Sequence, residues 1–66
     1  MISEWEQWAV ANRIVQEHGD GAADHAAERI VALEAKADDA GAATWGLVLL
    51  RIAELQRRPG PDDVRQ

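Results

Sequence analysis

The densest run of groups able to do chemistry is Glu17-His18-Gly19-Asp20, continued by Asp24 and His25, which sets two imidazoles and three carboxylates within nine positions. Imidazole and carboxylate together ligate divalent metals or move protons, provided that they converge in space. Their spacing matches no established site: there is no His-Glu-x-x-His and no calcium-binding loop. A plainer use fits the same residues. An imidazole suits the negative end of a helix, a glycine its left-handed stop, and an aspartate the cap of the helix that follows. Capping is therefore the expectation for His18 and Asp20, and no metal or cofactor is expected.

Nucleophilic chemistry is poorly served. Ser3 is the only serine and Thr44 the only threonine, and there is no cysteine. Gly19 and Gly21 make no phosphate-cradling loop, because no strand precedes them and no Lys-Ser or Lys-Thr pair follows. No catalytic residue is expected, and the chain reads as something other than an enzyme. Of the three tryptophans, Trp8 and Trp45 fall in apolar stripes at helical spacing and are expected in the core. Trp5 lies in a first helical turn, where it either laps over the helix ends or stands at a partner surface. Asn12 projects between Trp5 and Trp8, which makes it a candidate hydrogen-bond partner within that cluster.

The elements that position these residues are all helical. Ser3 followed three positions later by Glu6 is a capping-box pattern, and apolar residues at 5, 8, 9, 11 and 15 carry a first helix to the stop at His18-Gly19. A second helix, capped by Asp20, presents Ala23, Ala26, Ala27, Ile30, Leu33 and Ala37 on one side; Glu34 falls inside that arc and is expected at its rim or beside a cation. Asp38 and Asp39 compete to cap a third helix, whose stripe of Ala42, Trp45, Val48, Leu49, Ile52 and Leu55 runs to Arg57-Arg58 and the Pro59-Gly60-Pro61 stop. The expected fold is an all-α, three-helix bundle-like single domain with helices at about 4–18, 21–37 and 39–57. Its expected core is Trp8, Ala11, Val15, Ile30, Leu33, Trp45, Val48, Leu49, Ile52 and Leu55. The domain spans residues 1–58, and 59–66 form a flexible, disordered tail. Strand-like alternation and internal repeats are absent from the sequence.

The third helix has apolar residues on a second side as well. With Trp45 at the centre of one face, Leu47 and Leu50 point away from it, flanked by Ala43 and interrupted by Glu54. Either the other two helices cover both sides, or Ala43, Leu47 and Leu50 meet a second copy or another protein. Sixty-six residues bury a small core, and self-association would add burial. A homodimer through helix three is therefore the preferred form, with Trp5 as a further interaction candidate.

Charge narrows the partners. The net charge is −5, and residues 1–40 hold nine acids against Arg13, Arg29 and Lys36. That balance argues against nucleic-acid binding, in which basic side chains must neutralise phosphate. A helix-turn-helix reading fails for the same reason, since helix three has only Arg51 before Arg57. The acids either complement helix N-termini or form a docking face, which gives the alternative reading of an acidic inhibitor or nucleic-acid mimic that blocks a basic partner surface. The longest apolar run, Trp45 to Leu50, is far short of the roughly 20 residues that span a bilayer. No basic, apolar leader follows Met1. No membrane association is expected, and the compartment is expected to be the bacterial cytoplasm. The leading expectation is a small helical protein-interaction module that self-associates.

Glu17-His18-Gly19-Asp20, then Ala27-Glu28-x-Ile30-x-x-Leu33, then Asp38-x-Ala40-Gly41-x-x-x-Trp45 resembles a family of short, uncharacterised alphaproteobacterial helical proteins, a domain of unknown function. Trp8 and the Ile52-Ala53-x-Leu55 ending agree with that pattern, which covers roughly residues 4–55. The resemblance implies a compact helical stand-alone protein and no catalytic residue, substrate or cofactor. This chain departs from the pattern after Trp45, where Gly46-Leu47 and later Leu50 stand in place of polar residues, so the resemblance implies no partner surface there.

Overall fold

A computed structural model describes residues 2–57. They are helical almost throughout: α1 is Glu4–His18, a single 3-10 turn occupies Gly19–Gly21, α2 is Ala22–Ala35 and α3 is Asp39–Leu55. The expected tail at 59–66 lies outside the described residues.

Each boundary has a local cause. At the start of α1, the Ser3 hydroxyl accepts from the Glu6 amide at 3.2 Å, and the Ser3 amide donates to Glu6 Oε1 at 3.0 Å, so two otherwise unpaired amides are satisfied reciprocally. Gly19 ends α1 at φ 54°, a left-handed value that suits glycine, and its amide donates to Val15 O.

Asp20 does not cap α2. The N-cap is Gly21, with no side-chain hydrogen bond. A capping carboxylate needs extended backbone at the cap. Here the chain stays wound through the 3-10 turn, and Gly21 itself holds φ −87° and ψ 4°.

The second helix stops at Ala35, two residues before the expected end. The Ala37 amide donates to Glu34 O at 3.0 Å and the Asp38 amide to Leu33 O at 2.9 Å, the paired reverse bonds of a Schellman ending. Ala37 occupies the position that usually falls to glycine, at φ 61°. Asp38 caps α3 through a 2.9 Å bond from the Gly41 amide, while Asp39 lies in the first turn. A Cβ on Gly41 would come within 2.6 Å of Asp38 Oδ2, which accounts for glycine beside the cap. The third helix ends at Leu55 rather than 57. Gln56 closes it through its amide to Ile52 O, and its side-chain Nε2 donates to Gly19 O at 2.6 Å, tying the end of α3 to the turn between α1 and α2.

α3 is the common wall of the fold: α1 and α2 each pack on it and meet one another far less. The buried apolar residues are Ala11, Ile14, Ala22, Ala26, Val48 and Ile52. Alanines on α1 and α2 bring those helices close to the branched side chains of α3, which suits a chain that carries thirteen alanines and few large apolar residues. Val15, Trp45 and Leu49 are partly buried against this core, and Trp8, Ile30 and Leu33 are half-buried.

Two core expectations need correction. Leu55 is 39% exposed, since it is the last helical residue and little of the fold lies beyond it. Ile14, absent from the expected set, is buried instead of Val15. The buried line of α1 is Gln7, Ala11 and Ile14, and Trp8, expected in the core, is half-buried with the Arg51 guanidinium over its ring.

Candidate functional site

The third helix presents opposite sides to different surroundings. Val48 and Ile52 face the core. Ala43 and Leu50, displaced from them by about half a helical turn, face outward, with Leu50 61% exposed and Ala43 exposed. Leu47 is half-buried. Packing by α1 and α2 thus leaves an apolar outer side on α3. Gly46 lies among these residues in the middle of the helix, and a Cβ built there meets nothing within 4 Å.

Trp5 is also exposed, at 76%, but it belongs to the first turn of α1, next to Glu4. Val31 on α2 is 66% exposed, and its neighbours one turn away on the helix surface are Ala27, Glu28, Glu34 and Ala35, all exposed; a large apolar residue among small and charged ones is ordinary at a surface.

The polar focus of the fold is Arg51, which the sequence marks only as a basic residue on helix three. Its Nε donates to the buried Gln7 Oε1 at 3.0 Å, its guanidinium lies 5.0 Å from the Trp8 ring centre, and a terminal nitrogen is 3.8 Å from Glu4 Oε2. Gln7 Nε2 donates in turn to Ile2 O at 3.4 Å. The amide is therefore paired at both ends, as burial requires. These contacts join the start of α1 to α3. Asn12 takes no part in an indole cluster: its Nδ2 donates to the backbone oxygen of Trp8, one turn earlier, at 3.1 Å.

The imidazoles singled out by the sequence do meet. His18 and His25 stack across the 3-10 turn with centroids 4.1 Å apart and planes 16° from parallel; His25 meets Trp45 edge-on at 5.8 Å, and Arg29 lies 5.9 Å from the Trp45 ring centre. Ring-nitrogen lone pairs lie in the ring planes, so two rings stacked face to face direct them side by side rather than toward one ion. Among the described residues, no group of three or more His, Asp or Glu side chains is placed to hold a metal. Asp20 and Asp24 are exposed.

The carboxylates are mostly at the surface. Glu6 titrates below its ordinary value of 4.5, first because of its hydrogen bond with the Ser3 backbone and then because of that with the Ser3 hydroxyl. Arg13 and Glu17 pair at 3.1 Å along α1. Glu34 reaches the exposed rim of α2.

No cavity is found among the described residues, and none of their helices is long and apolar enough to cross a membrane. The class so defined is a small all-helical protein whose distinctive surface is the side of a helix rather than a cleft. The chain belongs to a family of unknown function, DUF6961, whose model matches residues 3–60 of the 66. The motifs at 17–20, 27–33 and 38–45 fall inside that span. No curated protein and no solved structure matches the chain.

Proposed function

We propose that this chain is a small helical protein-interaction module, a bundle-like single domain without catalytic activity, which works in the bacterial cytoplasm by self-association through the outer side of α3. The observation that carries this reading is the exposure of Leu50, at 61%, on the side of α3 opposite the buried Val48 and Ile52, together with Leu47 and Ala43. Neither α1 nor α2 covers Leu50, and an apolar patch on a small domain is normally where it meets something else. Replacing both leucines by glutamate would place two charges on that face. Leu47→Glu combined with Leu50→Glu is expected to leave helical circular dichroism intact and abolish a dimer seen by sedimentation velocity. A double variant that sediments like the unaltered chain overturns the proposal.

The exposure of Asp24, Glu28 and Glu34 on α2 favours a second reading, an acidic surface that blocks a basic partner. Binding of that kind weakens steeply with salt. A pull-down whose partners are not basic, or whose yield ignores salt, removes it.

A further inference from the structure

From the ring geometry at the turn between α1 and α2, we infer that His18 and His25 form a proton-sensitive latch. Their stack holds the end of α1 to α2 while at most one ring is charged, and it gives way when both are. The inference is independent of the self-association reading, since neither ring lies on α3.

The stack spans the break between two helices. His18 is the last residue of α1 and His25 closes the first turn of α2, with the 3-10 turn Gly19–Gly21 between them. Centroids 4.1 Å apart and planes 16° from parallel set the two ring faces in contact. That contact matters because the turn has few other ties: α2 has no side-chain cap, and two glycines leave the backbone permissive. The Gln56 side chain, bonded to Gly19 O, holds it from outside.

The two rings stand in different fields. His18 lies at the negative end of the α1 macrodipole, where a cation is favoured, whereas His25 lies near the positive end of α2, where a cation is disfavoured. Arg29 adds to the second effect. His25 meets Trp45 edge-on at 5.8 Å, and the Arg29 guanidinium lies 5.9 Å from the centre of the same indole. A single charge on His18 is compatible with the stack, because a cation is attracted to a neutral aromatic face. A second charge, on His25, is not, since like charges repel strongly at a separation of 4.1 Å.

The surrounding charges moderate that repulsion without cancelling it. Glu17 precedes His18 but is paired with Arg13 at 3.1 Å. Asp20 in the turn and Asp24 and Glu28 on α2 are exposed, so water and salt screen them. Among the described residues, no carboxylate forms an ion pair with either imidazole. From α3 come Trp45 and, past its end, Arg57, which follows the Gln56 that reaches Gly19. Of the other charges on α3, Arg51 is engaged with Gln7 and Glu4, Glu54 lies about half a turn round the helix from Trp45, and Asp39 lies at the connection from α2.

Unfolding separates the rings and lets both take protons, so the stacked fold binds fewer protons than the unfolded chain. The latch therefore contributes fully above the imidazole titration range, and its contribution is lost as pH falls through that range.

Nuclear Overhauser contacts between the two rings read the latch directly in the unaltered chain. They are expected at about pH 7.5 and should vanish, with helical circular dichroism retained, by the pH at which the ring carbon shifts show both imidazoles charged. Contacts that survive double protonation, or that are missing at neutral pH, overturn the inference. Two variants supply a second readout. His18→Phe keeps a ring in the stack and removes one charge, and its melting temperature is expected to fall about 5 °C less than that of the unaltered chain between about pH 7 and about pH 5. His18→Gln, which can neither stack as a ring nor take the charge, should start lower at neutral pH and show the same shallow dependence. A fall as steep in both variants as in the unaltered chain overturns the latch.

Discussion

Ala37 occupies a backbone conformation that glycine fills better. At φ 61° its Cβ crowds the neighbouring carbonyl, a cost of roughly 1–2 kcal/mol for an L-residue, partly offset because alanine loses less freedom on folding than glycine. Ala37→Gly is therefore expected to stabilise the fold by about 0.5–1 kcal/mol, read as a higher midpoint in urea; a lower midpoint would show that the reverse turn after α2 is not left-handed at this residue. Glu6 makes a pH prediction of definite sign. Its folded-state pKa is lowered from 4.5 by the Ser3 bonds, so its contribution is full above that ordinary value and fades as pH falls through the lowered one. Melting temperature should drop less on acidification below pH 4.5 in Glu6→Gln than in the unaltered chain, and equal drops would contradict the capping box. The first of these features was hidden in the sequence, because nothing in Lys36-Ala37-Asp38 announces a left-handed alanine. The second was legible, since Ser3 and Glu6 bear the box in their spacing alone.

Among the elements, α1 was legible from end to end because both its signals are local: the capping box at one end and His18-Gly19 at the other. The ends of α2 and α3 were less so. Asp20 has the right chemistry for a cap and the wrong backbone, and Gln56 ends α3 through a bond to Gly19, thirty-seven positions away, which no local pattern encodes. The rotation of α1 that buries Ile14 and Gln7 depends in the same way on a partner from α3. Gln7 reads as a surface residue until Arg51 is brought beside it, and forty-four positions separate the two. Arg51→Ala removes the bond to Gln7 and the cation over Trp8, and should cost about 1–3 kcal/mol. The check is thermal unfolding together with Trp fluorescence, which should report a wetter indole; an unchanged midpoint would mean that Arg51 is a passive surface side chain.

For the whole molecule, the sequence specified an all-helical chain and a third helix with two apolar sides, and the structure has α3 as the wall on which α1 and α2 pack. Among the described residues six apolar side chains are buried, three of them alanine, and a domain of this size is thinly stabilised by itself. Leu50, 61% exposed on the outer side of α3, is apolar surface that this packing leaves in water. The imidazole pair shows the limit of reading chemistry from composition. The sequence left open whether His18 and His25 converge; they do, in a stack that directs their ring nitrogens side by side. What the sequence could not settle was which of the two sides of α3 would be covered, because that depends on how α1 and α2 divide the helix between them. The central claim is that the uncovered side joins two copies, and sedimentation equilibrium of the unaltered chain from low to high micromolar concentration measures it most directly. A weight-average mass that climbs from 7.2 kDa toward twice that value is the predicted result, and a mass that stays at the single-chain value throughout would contradict it.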